Sequence, residues 1–274
     1  METPLLLAES KDWIVHHLME IEAVSGLSAL GISKHVLGLF LVAGALLVTF
    51  IPFGRALQAD PVVPRGRFVN LIESILLFLR DEVSRPFLGK DGDRFLPVLW
   101  TIFFYILYCN LLGLLPLPIP VPVASHGETH WTWFGTTGPT GQFKVTLTLA
   151  IIAGLWWHGL GIRAYGLVGH VKNSLVPGGV PIPLLLILVP VEFLGNIIKV
   201  TALGVRLWAN MMGGHTVLYV ILGMIFIFGP LAAPFAVLGA VAIYCLEIFV
   251  AFLQAYVFTF LTVVFLGMSI HPEH

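Results

Sequence analysis

The stretch EFLGNIIKVTALGVRLWANMMGGH, residues 192–215, decides how this chain is read. Glu192, Lys199 and Arg206 stand seven residues apart in an otherwise apolar run, with Asn196 and Asn210 four residues after the first and last. At 3.6 residues per turn these side chains stack into one polar stripe that drifts slightly around a helix. The run stays apolar on both sides, from Ile182 to Phe228. A second run, after Gly229-Pro230 and Pro234, continues to about Ile270 and carries Glu247 and Gln254, again seven apart. A charge at membrane depth costs about 2.5–3.5 kcal/mol on insertion scales, so an ionisable group there is a functional candidate by default. Two apolar helices with one polar stripe each are expected to face each other or a common aqueous path. The plainer account is a set of stabilising contacts, with Lys199 snorkelling to an interface.

Working outward, the whole chain has the composition of a membrane protein. Hydrophobic residues make up 58% and charged residues 11% of 274, with a mean hydropathy of +0.95, whereas a soluble domain carries about 25% charged residues. A net charge of −1 gives no case for nucleic acid as a partner. Cys109 and Cys245 lie in apolar stretches and read as small buried hydrophobes rather than a disulfide framework or metal cluster. No cofactor is implied, and no phosphate-binding glycine loop of the P-loop type is present.

A bilayer core takes about 20 apolar helical residues. The expected fold is an all-α integral membrane protein with spans near 35–53, 97–115, 145–167, 184–228 and 235–268, forming one domain over 35–270. Pro52 and Gly54 end the first span. Between the first two spans, residues 65–89 carry Phe68, Leu71, Ile75, Leu76 and Leu79 as an apolar stripe among arginines and acids, the pattern of an amphipathic helix on the membrane surface. Residues 1–34 are a retained N-terminal segment, readable either as an interfacial helix (Trp13, Ile14, Leu18 and Ile21 have helical spacing) or as a disordered tail. They lack the basic start of a cleaved signal. At 1.5 Å per residue the last run alone reaches about 55 Å, against about 30 Å of hydrocarbon. Each long run therefore either breaks or lies steeply tilted. Gly213-Gly214 is the candidate break in the earlier one, and tilt is expected over Phe235–Leu266.

Basic residues crowd the loop after the first span, the loop after the second has none before Lys144, and Arg163 and Lys172 follow the third. The positive-inside rule then puts the N-terminus outside, the Arg-rich helix inside and the Trp-rich polar loop Ala124–Phe143 outside. In that loop His126, Glu128 and His130 have a spacing that suits zinc, but they read better as a solvated loop. His158, beside Trp156 and Trp157, is a packed helix–helix residue or a relay.

ALGVRLWANMMGGH, ending at His215, resembles the signature around the essential arginine of subunit a of rotary ATP synthases. LEIFVAFLQAYVFTFLTVVFL resembles that family's last helix, YCNLLGLLP around Asn110 its second span, and KVTLTLA the opening of its third. The resemblance covers roughly residues 35–270. It implies that Arg206 takes the place of the essential arginine. It also sets Glu192, His215, Glu247 and Gln254 where the family has polar or ionisable groups. In some members the acid and the histidine are exchanged between the positions of His215 and Glu247. Trp208-Ala209 departs from the family's Phe-Gly, and Gly113 stands where some bacterial members have an acid.

The resemblance implies a non-catalytic stator subunit of the Fo motor that couples proton translocation to ATP synthesis. It would work through two offset half-channels against a rotor ring of c subunits, each with one carboxyl near mid-membrane. Peripheral stalk b subunits, other subunits of the complex and the lipid bilayer are the remaining partners. Arginine suits the barrier between half-channels because it stays charged when poorly solvated, whereas a buried lysine loses its proton readily. His215, Glu247 and Gln254 fit an inlet, and Glu192 and Asn196 could line either path. The length leans towards a bacterial inner membrane, with the mitochondrial inner membrane as the alternative. A competing class is a secondary ion transporter, which predicts internal repeats; the RLWANMMGGH block does not recur.

Overall fold

The computed structural model describes residues 23–24, 34–59, 66–115, 120–125, 128–133, 138–175 and 182–270. The chain is an all-α membrane protein, and five of its helices are long and apolar enough to cross a bilayer. They are α1 (Lys34–Ala59), α4 (Leu96–Leu114), α5 (Phe143–Leu175), α6 (Ile182–Phe228) and α7 (Ala233–Ile270), with α2 (Arg67–Phe78) and α3 (Arg85–Leu88) between the first two. Residues 1–22 and 25–33 lie outside the described residues, and with them nearly all of the N-terminal segment read as an interfacial helix or tail.

Two expected breaks are absent. Helix α1 continues through Pro52 to Ala59, and α6 runs unbroken through Pro190 and through Gly213-Gly214. Proline is tolerated inside transmembrane helices because neighbouring groups take up the freed backbone. Gly214 serves packing instead: a Cβ there would fall on the Glu247 carboxylate. Without a break, the 47 residues of α6 extend about 70 Å, and the 38 of α7 about 57 Å, at 1.5 Å per residue. Both exceed the ~30 Å of hydrocarbon, a length that the expected steep incline would accommodate. The apolar surface such helices present is large, with Leu186 82%, Phe226 85% and Phe235 78% exposed. Lipid rather than water is the solvent that makes this stable.

One break was not foreseen. Gly166 adopts φ 73 and ψ 166 inside α5, a left-handed conformation open to glycine without a Cβ clash, and the chain reverses there.

The segment read as a plain polar loop holds a small antiparallel sheet. Strand β2 (Pro120–Ser125) pairs with β3 (Glu128–Trp133), Ser125 opposite Glu128, and with the two-residue β1 (Ala23–Val24). The alternation of Val121 and Val123, and of Thr129, Trp131 and Trp133, suits a pleated strand. Prolines are barred from central strands because they lack a donor. Here β1 covers only Val123 and Ala124, so Pro120 and Pro122 lie where β2 has a single neighbour.

The chain divides into two compact units, one of Met1–Gly44, Leu107–Gln142 and Trp208–Gln254, the other of Ala45–Ile106, Phe143–Leu207 and Ala255–His274. In the first, backbones approach closely at small residues: a Cβ on Gly113 would meet the Gly138 backbone, and one on Gly38 the Pro139 ring. Cys109 is fully buried there, as expected, but Cys245 is exposed on α7. In the second, the core is aromatic and aliphatic: Phe50 packs edge-on against Phe104 at 4.9 Å, Trp157 against Phe265 at 5.2 Å, and Leu203, Leu207, Phe258 and Leu266 are almost wholly buried.

Helices α2 and α3 belong to the second unit. Ile72, Leu76, Leu79 and Val83 turn inward while Phe68 and Leu71 are exposed. The apolar positions thus serve two faces, one on protein and one open, rather than a single stripe. A π turn over Leu79–Ser84 shifts the helical register between them. The polar side carries an exposed network in which Arg80 and Arg85 both donate to Asp81 at 2.9 Å, and Arg85 reaches Asp93 at 3.4 Å. The hydrogen bonds from Arg80 hold the Asp81 carboxyl below its ordinary range.

Candidate proton-translocation site

In the first unit, polar residues of α4, α6 and α7 gather around a buried His215–Glu247 pair, with Asn110 and Gln254 buried, Tyr244 half-buried and Asn210 exposed. His215 and Glu247 are 8% and 10% exposed, and Nδ1 of the imidazole lies 3.3 Å from Glu247 Oε1. His215 Nε2 lies 3.3 Å from the Gly113 carbonyl oxygen. A carbonyl only accepts, so Nε2 carries a hydrogen. The remaining proton then sits between Nδ1 and Oε1, on the imidazole as an ion pair or on the carboxyl as a neutral pair. The two groups share that one proton.

One turn earlier on α6, Asn210 Nδ2 donates to Gln254 Oε1 at 2.6 Å. Asn110 Nδ2 on α4 donates to the Ala251 carbonyl at 3.3 Å, and Tyr244 OH donates to the Leu114 carbonyl at 2.5 Å. These bonds leave Glu247 Oε2, Gln254 Nε2 and Asn110 Oδ1 buried without a protein partner. An orphaned buried polar atom costs about 1–3 kcal/mol. Three within one cluster are costly as packing but appropriate to a path that carries water or protons.

The second unit holds the other half of the α6 stripe, and there it divides. Asn196 and Lys199 are half-buried and tied down: Lys199 Nζ donates to Asn196 Oδ1 at 3.1 Å, and Asn196 Nδ2 donates to Ser174 Oγ at 2.8 Å. Lys199 also lies 5.9 Å from the centre of the Phe265 ring. Arg206, on the same helix face, is exposed, and no ion pair or hydrogen bond is made to it among the described residues. Glu192 is half-buried at the stripe's start. His158 is joined to His170, with Nδ1 3.0 Å from Nε2.

The rare ionisable groups and their spacing pointed to Arg206, His215, Glu247, Asn210 and Gln254, and the family resemblance to Asn110. Neither brought in Tyr244, whose hydroxyl reaches a distant carbonyl, Gly214, which acts by lacking a side chain, or the Gly113 carbonyl. His170 was missed as well; the signal was a second histidine twelve residues beyond His158 across a glycine-rich bend. His126 lies outside the described residues, and so do the side chains of Glu128 and His130. Among the described residues no group of three His, Cys, Asp or Glu is placed to hold a metal.

The sequence pattern of the family described as ATP synthase A chain matches residues 36–267. The chain is 39% identical over 274 residues to the ATP synthase subunit a of Myxococcus xanthus, covering 99% of this chain and 84% of that one. It is 39% identical over 262 residues to that of Chloroherpeton thalassium, covering 94% and 72%, and 34% identical over 282 residues to that of Chlorobium phaeobacteroides, covering 96% and 76%. With the family pattern spanning most of the chain and these relatives aligned over 94% or more of it, the protein belongs to the ATP synthase subunit a family.

Proposed function

We propose that Arg206 is the fixed charge of an Fo stator, set between two proton half-channels that this subunit forms against a rotating ring of c subunits. Membership of the subunit a family gives the chain the proton-channel stator role in ATP synthase. The observation that carries the residue assignment is the state of Arg206: an exposed guanidinium on an apolar helix, unpaired among the described residues. A structural arginine at such depth would be matched to an acid from its own chain, because an uncompensated charge is costly. An arginine left open is suited to a carboxylate that arrives and departs.

The chemistry then follows. A rotor carboxyl reaching Arg206 is stabilised in its ionised form and gives up its proton before taking the next. The guanidinium also repels protons attempting a direct crossing. Each elementary charge falling through 100 mV delivers about 2.3 kcal/mol, so a leak past this point wastes the driving force. The His215–Glu247 pair, with Asn210, Gln254 and Asn110, lines the inlet half-channel, and the shared proton between imidazole and carboxyl is handed on to the rotor. Glu192, Asn196 and Lys199 serve the other path. The subunit carries no catalytic step of its own and sits in a bacterial inner membrane with its N-terminus outside, held to the complex by b subunits of the peripheral stalk.

The test is replacement of Arg206 in the assembled complex. R206A and R206K should both insert and assemble yet make no ATP from an imposed proton gradient, because an ammonium in apolar surroundings sheds its proton where a guanidinium does not. Gradient-driven ATP synthesis by R206A at the rate of the unaltered complex would overturn the assignment.

A further inference from the structure

Two imidazoles in the second unit are held together at evident structural expense. His158 lies in the long arm of α5 and His170 in the segment beyond Gly166. In a straight helix, twelve residues would separate them by about 18 Å along the axis. The positive φ of Gly166 turns the chain back, and His158 Nδ1 and His170 Nε2 come to 3.0 Å. Gly161 completes the arrangement, since a Cβ there would overlap the His170 ring and the Ser269 hydroxyl. The returning segment is then fastened from outside, with Ser174 Oγ accepting from Asn196. The end of α7 is fastened to α5 by Ser269 Oγ donating to the Trp157 carbonyl and Tyr165 OH donating to the Ile270 carbonyl. Nothing in the His215–Glu247 site uses this pair.

We propose that His158 and His170 form a proton-transfer pair in the half-channel that opens on the side of the basic loops. The inference rests on the stator reading above, and it adds an imidazole carrier to the path given to Glu192. At 3.0 Å one nitrogen donates and the other accepts, so the facing nitrogens hold a single proton between them. A proton taken up at the free His158 Nε2 makes an imidazolium, which passes its Nδ1 proton to His170 Nε2. His170 then releases its own proton from Nδ1. One proton enters and one leaves, and the starting tautomers return when each ring exchanges with channel water, taking a proton at Nδ1 and losing one at Nε2. His158 is half-buried and His170 buried, so the pair joins a more open position to an enclosed one. Lys199, on α6, is the charge that bears on His158. Helix α7 brings Ser269 but no charged side chain, and Arg163 and Lys172 on α5 itself are exposed. Arg163 and Lys172 also set this end of α5 on the inner side by the positive-inside rule.

The experiment measures passive proton conduction through Fo in F1-stripped vesicles of the full complex under a potassium diffusion potential. H158A should lower conduction on the order of 100-fold, the lower end of what a positioned acid–base group contributes, with normal assembly. Free imidazole added to the H158A vesicles should restore a large part of it. H170Q should lower conduction similarly and flatten its dependence on pH across the neutral range. Conduction at the unaltered rate in both variants overturns the proposal, and so does an H158A defect that imidazole does not relieve, because packing lost from a helix interface is not replaced by a soluble base. If R206A has already shown the expected uncoupling, these failures fall on the histidine pair alone and leave the stator reading standing.

Discussion

The enclosed cluster around His215 and the open face around Arg206 are made from the same helix, yet they treat their polar groups in opposite ways. In the first, the imidazole, the carboxyl and the amides of Gln254 and Asn110 are buried, Tyr244 is half-buried, and each is bonded at least once. In the second, the guanidinium is exposed and unpaired among the described residues. The difference separates two tasks. A group that passes a proton must keep a hydrogen-bonded partner within reach at all times. A group that meets a moving carboxylate must have no resident partner to displace.

The largest effect that would sharpen this contrast concerns the pair itself. If His215 and Glu247 only hold helices together, removing one leaves a buried charge or orphaned group, costs about 3–5 kcal/mol and impairs assembly. If they carry protons, E247Q and H215Q assemble but conduct slowly with a shifted pH profile. The exchanged double variant, His215→Glu with Glu247→His, then conducts better than at least one single variant. Unchanged conduction by both assembled singles would remove the pair from the path.

A smaller effect is expected at Gly113. A Cβ there meets the Gly138 backbone, which cannot swing aside, as well as the flexible tip of Met211. G113A should therefore destabilise by about 1–3 kcal/mol, the usual cost of overpacking, seen as less assembled subunit in membranes. It also displaces the carbonyl that fixes the His215 tautomer, so the remaining complex should conduct less per molecule. Normal yield and normal conduction would show that the close approach is not needed.

The smallest effect belongs to the exposed arginine–aspartate network of α2 and α3. Because the folded Asp81 carboxyl titrates below its ordinary range, its contribution is present above the unfolded value and is lost as pH falls through the folded one. The network is open to solvent and screened by salt. D81N should leave proton conduction unchanged and lower resistance to thermal unfolding only slightly, and only at low salt.

How much of this was legible in the sequence follows from what each feature is made of. The five spans are written in composition, because a bilayer demands long apolar runs whatever their neighbours. Glu192, Lys199, Arg206 and Glu247 announced themselves as rare charges in such runs. What could not be read is set by the absence of side chains or by distant contacts. Gly213-Gly214 looked like a break because glycine disfavours helix in isolation, whereas Gly214 is there to admit the Glu247 carboxylate. Gly166, with the same residue type in a similar setting, does reverse the chain. The α6 stripe is continuous in spacing, but Asn196 and Lys199 turn out to be bonded to Ser174 and each other, while Arg206 has no bonded partner among the described residues. Periodicity reports a shared face, not what occupies it.

The central claim is that an unpaired arginine blocks while a paired acid and imidazole conduct. The most direct measurement compares R206A with E247Q in one preparation, reading passive proton conduction through Fo and ATP-driven proton pumping by the whole complex. R206A should retain passive conduction but pump nothing, whereas E247Q should slow conduction and pumping together. Pumping by R206A at the unaltered rate, or full passive conduction by E247Q, would contradict it.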